Sequence, residues 1–156
     1  MIMTIEQAVA RIKSATHDIS DEYSDDDCLS FLNGALQQVS SLLIGAKWPA
    51  LVKEMSVHEG DTLPINYMQP CGTYPLRMTD GSVHITDGSE YVRFRYFATP
   101  PTIEDLTGDM PYNHTAINDI IVRTAVMLAL NQNEYDVSQD TAIIQAIEQA
   151  VAAGMA

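Results

Sequence analysis

The chain has 156 residues, enough for one domain, or one domain with a substantial insertion, that buries a core without disulfide or metal staples. Its 21 acidic residues against 8 basic ones give a formal net charge of −13, which excludes gripping nucleic acid through its phosphates, since that needs clustered Lys and Arg. Cys28 and Cys71 form neither a metal-ligand spacing nor a disulfide framework and read as free thiols; no leader and no apolar run of membrane length is legible, which predicts synthesis in the cytoplasm and no membrane contact.

Residues 4 to 16 read as a first helix, with Thr4 and Gln7 in capping-box spacing and Ile5, Ala8, Val9, Ile12 and Ala15 on one side. The linker from His17 to Tyr23 is acidic, with Ile19 and Tyr23 as anchors. Ser24 to Ala46 is a longer amphipathic helix. Cys28, Leu29, Leu32, Ala35, Leu36, Val39, Leu42, Leu43 and Ala46 wind into one stripe. Ser24 stands at the N-cap, and Asp25, Asp26 and Asp27 meet the positive end of the helix dipole. These acids lack the alternation, central Gly and closing Glu of a calcium loop. Gly45 and Pro49 supply the stop.

The other face of this helix carries no charge between Asp27 and Lys47. Ser30, Asn33, Gly34, Gln37, Gln38, Ser40 and Ser41 make a polar surface that is cheap to desolvate. It is either a neutral solvent face or a contact surface, most simply for a second copy. Gly34 favours contact, because mid-helix Gly costs about 1 kcal/mol relative to Ala and its missing side chain permits close approach. Asn33, Gly34, Gln37, Gln38 and Ser41 are therefore the candidate subunit interface.

All seven prolines lie between Trp48 and Tyr112, so this middle segment cannot continue the flanking helices and reads as β. Two Asp-Gly turns, Asp80-Gly81 and Asp87-Gly88, predict a meander with strands near Leu76–Thr79, Ser82–Thr86 and Glu90–Phe97. Glu54–His58 and Thr62–Tyr67 are further candidate strands. In the last strand of the meander, Arg93 and Arg95 alternate with Val92, Phe94 and Tyr96. Arg77, Arg93 and Arg95 either pair across strands with acidic neighbours or meet a partner. The loop from Ala98 to Pro111 has Ile103, Leu106 and Met110 as tie-down points.

The helical period resumes from Asn113 to Asn133. Ile117, Ile120, Ile121, Thr124, Leu128 and Asn131 form one stripe and Val122, Val126 and Leu130 another, which places this helix centrally, against the one from Ser24 to Ala46. Asp136 or Ser138 caps a last helix to about Ala153, striped by Ile143, Ile144, Ile147, Ala150 and Val151. The predicted fold is α+β: a helical bundle from residues 1–47 and 112–156 around an inserted antiparallel β domain, 48–111. No nucleophile elbow, phosphate-binding Gly loop or zinc spacing occurs, and the four histidines are scattered, so neither an enzyme nor a cofactor is expected. Cys28 lies on the core stripe, where thiols are inert.

The order of elements resembles the head-to-tail adaptor (connector) proteins of tailed bacteriophages: short helix, acidic linker, long helix with Leu32-Asn33-Gly34-Ala35-Leu36, β insertion, Pro111-Tyr112-Asn113 entering a long helix, terminal helix. Thr4-Ile5-Glu6-Gln7-Ala8 and Tyr23-Ser24-Asp25-Asp26 are the most similar stretches. The likeness spans most of the chain and rests on patterning; Gly34 stands where such sequences tend to carry Glu. It implies a virion protein forming a ring, a dodecamer, with the portal protein above, tail or nozzle proteins below, and genome DNA crossing an acidic lumen without adhering. It also implies that the apolar C-terminal segment docks between portal subunits through Ile143, Ile147, Ala150, Val151 and Met155, with residues 150–156 dispensable for the subunit's own fold. Another phage neck or tail-completion protein, a free-standing acidic binding domain and a small hydrolase are the alternatives.

Overall fold

The computed structural model describes residues 3–16, 23–112, 114–130 and 139–155, the last three of these and Ala50 by their backbone alone. Its elements run α1 (Ile5–Thr16), α2 (Asp25–Gly45), β1 (Val52–Val57), β2 (Tyr67–Pro70), β3 (Leu76–Thr79), β4 (Ser82–Ile85), β5 (Val92–Ala98), α3 (Thr115–Leu130) and α4 (Thr141–Met155). The class is α+β, with the strands inserted between two pairs of helices. Residues 47–99 form the β unit; the helical unit takes the rest, including the loop after residue 99.

The helices begin where their caps allow. Thr4 and Gln7 exchange bonds: the Thr4 amide donates to Gln7 Oε1 at 3.0 Å and the Gln7 amide to Thr4 Oγ1 at 3.1 Å. At α2, Asp27 completes the same reciprocal box, its amide donating to Ser24 Oγ while its carboxylate accepts from the Ser24 amide. Asp140 starts α4, accepting from the Ile143 amide at 3.1 Å. That places the cap beyond both expected residues; Asp136 and Ser138, like Ile19, Asn113 and Asn131, lie outside the described residues.

Packing follows the apolar stripes, which are wider than their spacing suggested. In α2, Phe31 and Ile44 are buried beside the expected stripe, whereas Leu42 is half-buried and Ala46 exposed. Tyr23 anchors the start of α2, its ring edge-on to Phe31 at 5.2 Å and its hydroxyl donating to the Ala129 carbonyl. In α1 the buried side ends on Thr16, not Ala15, and the Thr16 hydroxyl donates to the Ile12 carbonyl. α3 lies against α2 and α1, with Ile117, Ile121 and Ala125 excluded from solvent, and α4 packs on α3 and α2. Burying such side chains is the main term stabilising the unit, about 1.5–3 kcal/mol for each large one.

The expected boundary at residue 111 moves to 99 because the loop that follows is tied to the helices. The Ile5 amide donates to the Gly108 carbonyl, the Met110 amide donates to the Met3 carbonyl, and Ile103 and Met110 are buried. At its end, the Tyr112 hydroxyl lies 2.6 Å from the Ser40 hydroxyl, and Asn118 Nδ2 donates to the Tyr112 carbonyl. Burial pushes the Tyr112 hydroxyl up to about 12 from 10.0, with the Ser40 bond pulling the other way. A raised acid favours the folded state while protonated, so this stabilisation is whole below about pH 10 and lost as pH rises toward 12. Comparing wild type with Tyr112→Phe by denaturant unfolding between pH 9 and 12 should show wild type losing about 2 kcal/mol more across that window.

In the β unit, β5 is the centre of an antiparallel sheet ordered β1-β5-β2, while β3 and β4 form a separate two-stranded hairpin. The expected meander is therefore corrected: β5 pairs with β1 from Val52↔Phe97 to Val57↔Val92, and not with β4. The two Asp-Gly pairs differ physically. Asp80 and Gly81 both have positive φ, 53° and 78°, and close the β3–β4 hairpin at Thr79↔Ser82. Asp87 instead accepts from the Ser89 amide through its own carboxylate, with only Gly88 at positive φ, and turns the chain away from β4. Thr62–Tyr67 is not a strand, because Pro64 brings no amide and its carbonyl closes a turn onto the Tyr67 amide; β2 starts only at Tyr67. Val57, Val83, Phe94, Tyr96 and Ala98 form the unit's core.

Candidate functional site

On α2, two of the five proposed interface residues are engaged inside the subunit. Asn33 clamps the loop: its Nδ2 donates to the Ile103 carbonyl and its Oδ1 accepts from the Ile103 amide, each at 2.8 Å. Gly34 is small for a reason within the chain, since a Cβ there would lie 3.2 Å from Leu128 Cδ1 of α3. The close approach inferred for a second copy is thus made by the chain's own helix. Gln38 is half-buried, and Ser40 is buried against Tyr112. Ser30, Gln37 and Ser41 remain exposed along one line of the helix, and beyond the first turn no charge interrupts that line.

On α4, Ile143 and Ile147 are 2% exposed and Ala150 and Val151 6% exposed, buried within the helical unit. Four of the five residues expected to dock on the portal are therefore core residues, and the segment 150–156, expected to be dispensable for the fold, includes the buried Ala150 and Val151. The helical period that marked an apolar stripe here, to which the resemblance gave a docking role, is the one that faces α2 and α3. Thr141, Gln145, Glu148 and Ala152 form the exposed strip of α4, and the Met155 side chain lies outside the described residues.

On β5, Arg93 pairs with Glu54 of β1, the cross-strand reading. Exposed pairs of this kind contribute little to stability. Arg95 and Arg77 are exposed and, among the described residues, make no ion pair; Arg95 stands opposite Glu54 in register and Arg77 opposite His84. Glu59 sits nearby, accepting from the Ile85 amide and lying 2.6 Å from His84 Nδ1; these bonds hold its carboxyl below the usual range.

Burial pushes the Cys28 thiol up, the reverse of an activated nucleophile, and among the described residues no three His, Cys, Asp or Glu side chains converge as metal ligands. A feature missed by the sequence reading is an apolar groove of about 330 Å³ in the β unit, walled by Tyr67, Tyr74, Leu76, Met78 and Phe94. The unbroken uncharged run from Thr62 to Leu76 was the available signal for it.

Compared with family models, with curated proteins and with solved structures, the chain matches none.

Proposed function

We propose that the chain is a virion structural protein, the subunit of an adaptor ring that joins the portal of a tailed phage to its tail and lets genome DNA pass. The carrying observation is the combination of element order and surface: two helices, an inserted β unit and two more helices, with the exposed line of α2 uncharged beyond its first turn. Sister copies can cover such a line without desolvating a charge. The acidic balance supports the passage role, because DNA is repelled from a surface of its own sign. The subunit works by assembly and not by catalysis, with self, portal and tail proteins as its partners.

Incubating the purified chain with the portal protein of the same genome, followed by native mass spectrometry and negative-stain imaging, tests this. A closed ring of fixed copy number seated on the portal is the expected result. A chain that stays monomeric at high concentration while the portal runs alone would identify a free-standing acidic domain instead.

A further inference from the structure

The β3–β4 hairpin is thinly attached to the rest of its unit. It pairs with no strand of the three-stranded sheet, and from Leu76 to Ile85 only Val83 is buried. A two-stranded hairpin is marginal by itself, so the bonds that fasten this one decide how often it is away. Its legs are fixed: Tyr74 donates its hydroxyl to the Cys71 carbonyl and accepts from the Arg95 amide, and the Asp87 carboxylate accepts from the Ser89 amide. Between the legs, Leu76, Met78 and Val83 of the hairpin line the apolar groove together with Leu63, Tyr67 and Phe94 from outside it. The remaining fastening lies along β4. The Val83 amide donates to the Asp61 carbonyl and the Val83 carbonyl accepts from the Gly60 amide, both at 2.8 Å. Glu59 adds its whole carboxylate: Oε1 accepts from the Ile85 amide at 3.0 Å, and Oε2 lies 2.6 Å from His84 Nδ1.

We infer that the β3–β4 hairpin is a flap over the groove that opens separately from the three-stranded sheet, and that Glu59 is its latch. A carboxylate holds an amide more strongly than a neutral oxygen does, so a proton on Glu59 weakens both of its bonds. Glu59 faces His84 on β4 and, opposite His84 on β3, Arg77, which both favour the ionised carboxylate. In its own turn His58 and Asp61 face each other instead, at 3.6 Å. The Ile85 amide first, and then His84, hold the Glu59 carboxyl below its ordinary 4.5. A depressed acid favours the latched state while ionised, so the latch is whole above that ordinary value and is lost as pH falls through the lowered one. Acid therefore frees the flap. The flap belongs to one subunit, so its opening is independent of whether the chain forms a ring.

Residue-resolved amide hydrogen exchange on the whole chain, corrected for intrinsic rates, tests this. In wild type the Val83 and Ile85 amides should open more often than the amides of β5, and their protection should be at least about threefold lower at about pH 3.5 than at about pH 6. The β5 amides measured at the same pH show whether the whole unit has unfolded. Glu59→Gln keeps an acceptor oxygen and drops the charge. At about pH 6 it should cut the protection of Val83 and Ile85 at least about threefold, abolish their acid response and leave β5 unmoved. Glu59→Ala, which removes both bonds, should go further. An apolar fluorescent dye should bind Glu59→Gln more strongly than wild type, because a freed hairpin widens access to Tyr67 and Phe94. Protection in Glu59→Gln equal to that of wild type overturns the latch. Val83 and Ile85 opening only together with β5, or dye binding equally to both proteins, overturns the flap.

Discussion

Replacing Asn33 by leucine should destabilise the isolated subunit by about 2–4 kcal/mol, because two hydrogen bonds vanish and a buried amide and carbonyl are left without them. Asn33 is half-buried on α2 and grips both backbone groups of Ile103, itself 7% exposed. Leucine keeps the same branched outline of four side-chain heavy atoms, though its methyl groups are bulkier than the amide, so the change chiefly removes polarity. The expected fall in Tm is roughly 5–15 °C for a chain of this size. Asn33→Asp keeps the acceptor for the Ile103 amide but sets a carboxylate oxygen against the Ile103 carbonyl, so it should also destabilise the monomer. Thermal unfolding of the monomer distinguishes the two roles considered for this residue. A contact made only between copies would leave the monomer's Tm where it was and weaken association alone.

Asn33 also marks where sequence reasoning stops. Its polarity and its place beside Gly34 were legible, and both were consistent with a surface meant to be covered. What covers them, Ile103 and Leu128, is many residues distant in the chain, and no local pattern names such a partner. Features that depend on neighbours within a few residues were read well: the Thr4–Gln7 box, the Ser24 cap, the Asp80-Gly81 hairpin and the inward side of Val92, Phe94 and Tyr96. Pairing of β5 with β1 was not, because it joins strands about forty residues apart, and register across such a gap is set by the core and not by a turn. The second Asp-Gly pair misled for a different reason. Asp87 has two ways to satisfy a backbone amide, and using its own carboxylate makes a turn that needs no returning strand. The groove of the β unit was visible only as an absence of charge.

Ile147→Ala should cost the isolated subunit about 2–5 kcal/mol, the range for a buried large aliphatic residue whose cavity closes only in part. Ile147 is 2% exposed on α4, in line with Ile143 and Val151, and that line packs within the helical unit against α2 and α3. Removal of residues 150–156 should act in the same direction, since it strips buried Ala150 and Val151 from the same face. Where the proposed portal binding is measured, both variants should lose it in proportion to the fraction unfolded, and stabilising conditions should restore it. The opposite pattern belongs to the exposed strip. Glu148→Arg or Gln145→Arg should leave unfolding within about 0.5 kcal/mol of wild type, as exposed substitutions do. Any loss of portal affinity in those two variants would come from contacts outside the subunit. Measuring Tm and portal affinity on all four variants therefore decides whether α4 reaches a partner through Gln145 and Glu148 or serves only as the last wall of the core. An Ile147→Ala subunit as stable as wild type, yet unable to bind portal, would restore the buried stripe as a docking surface.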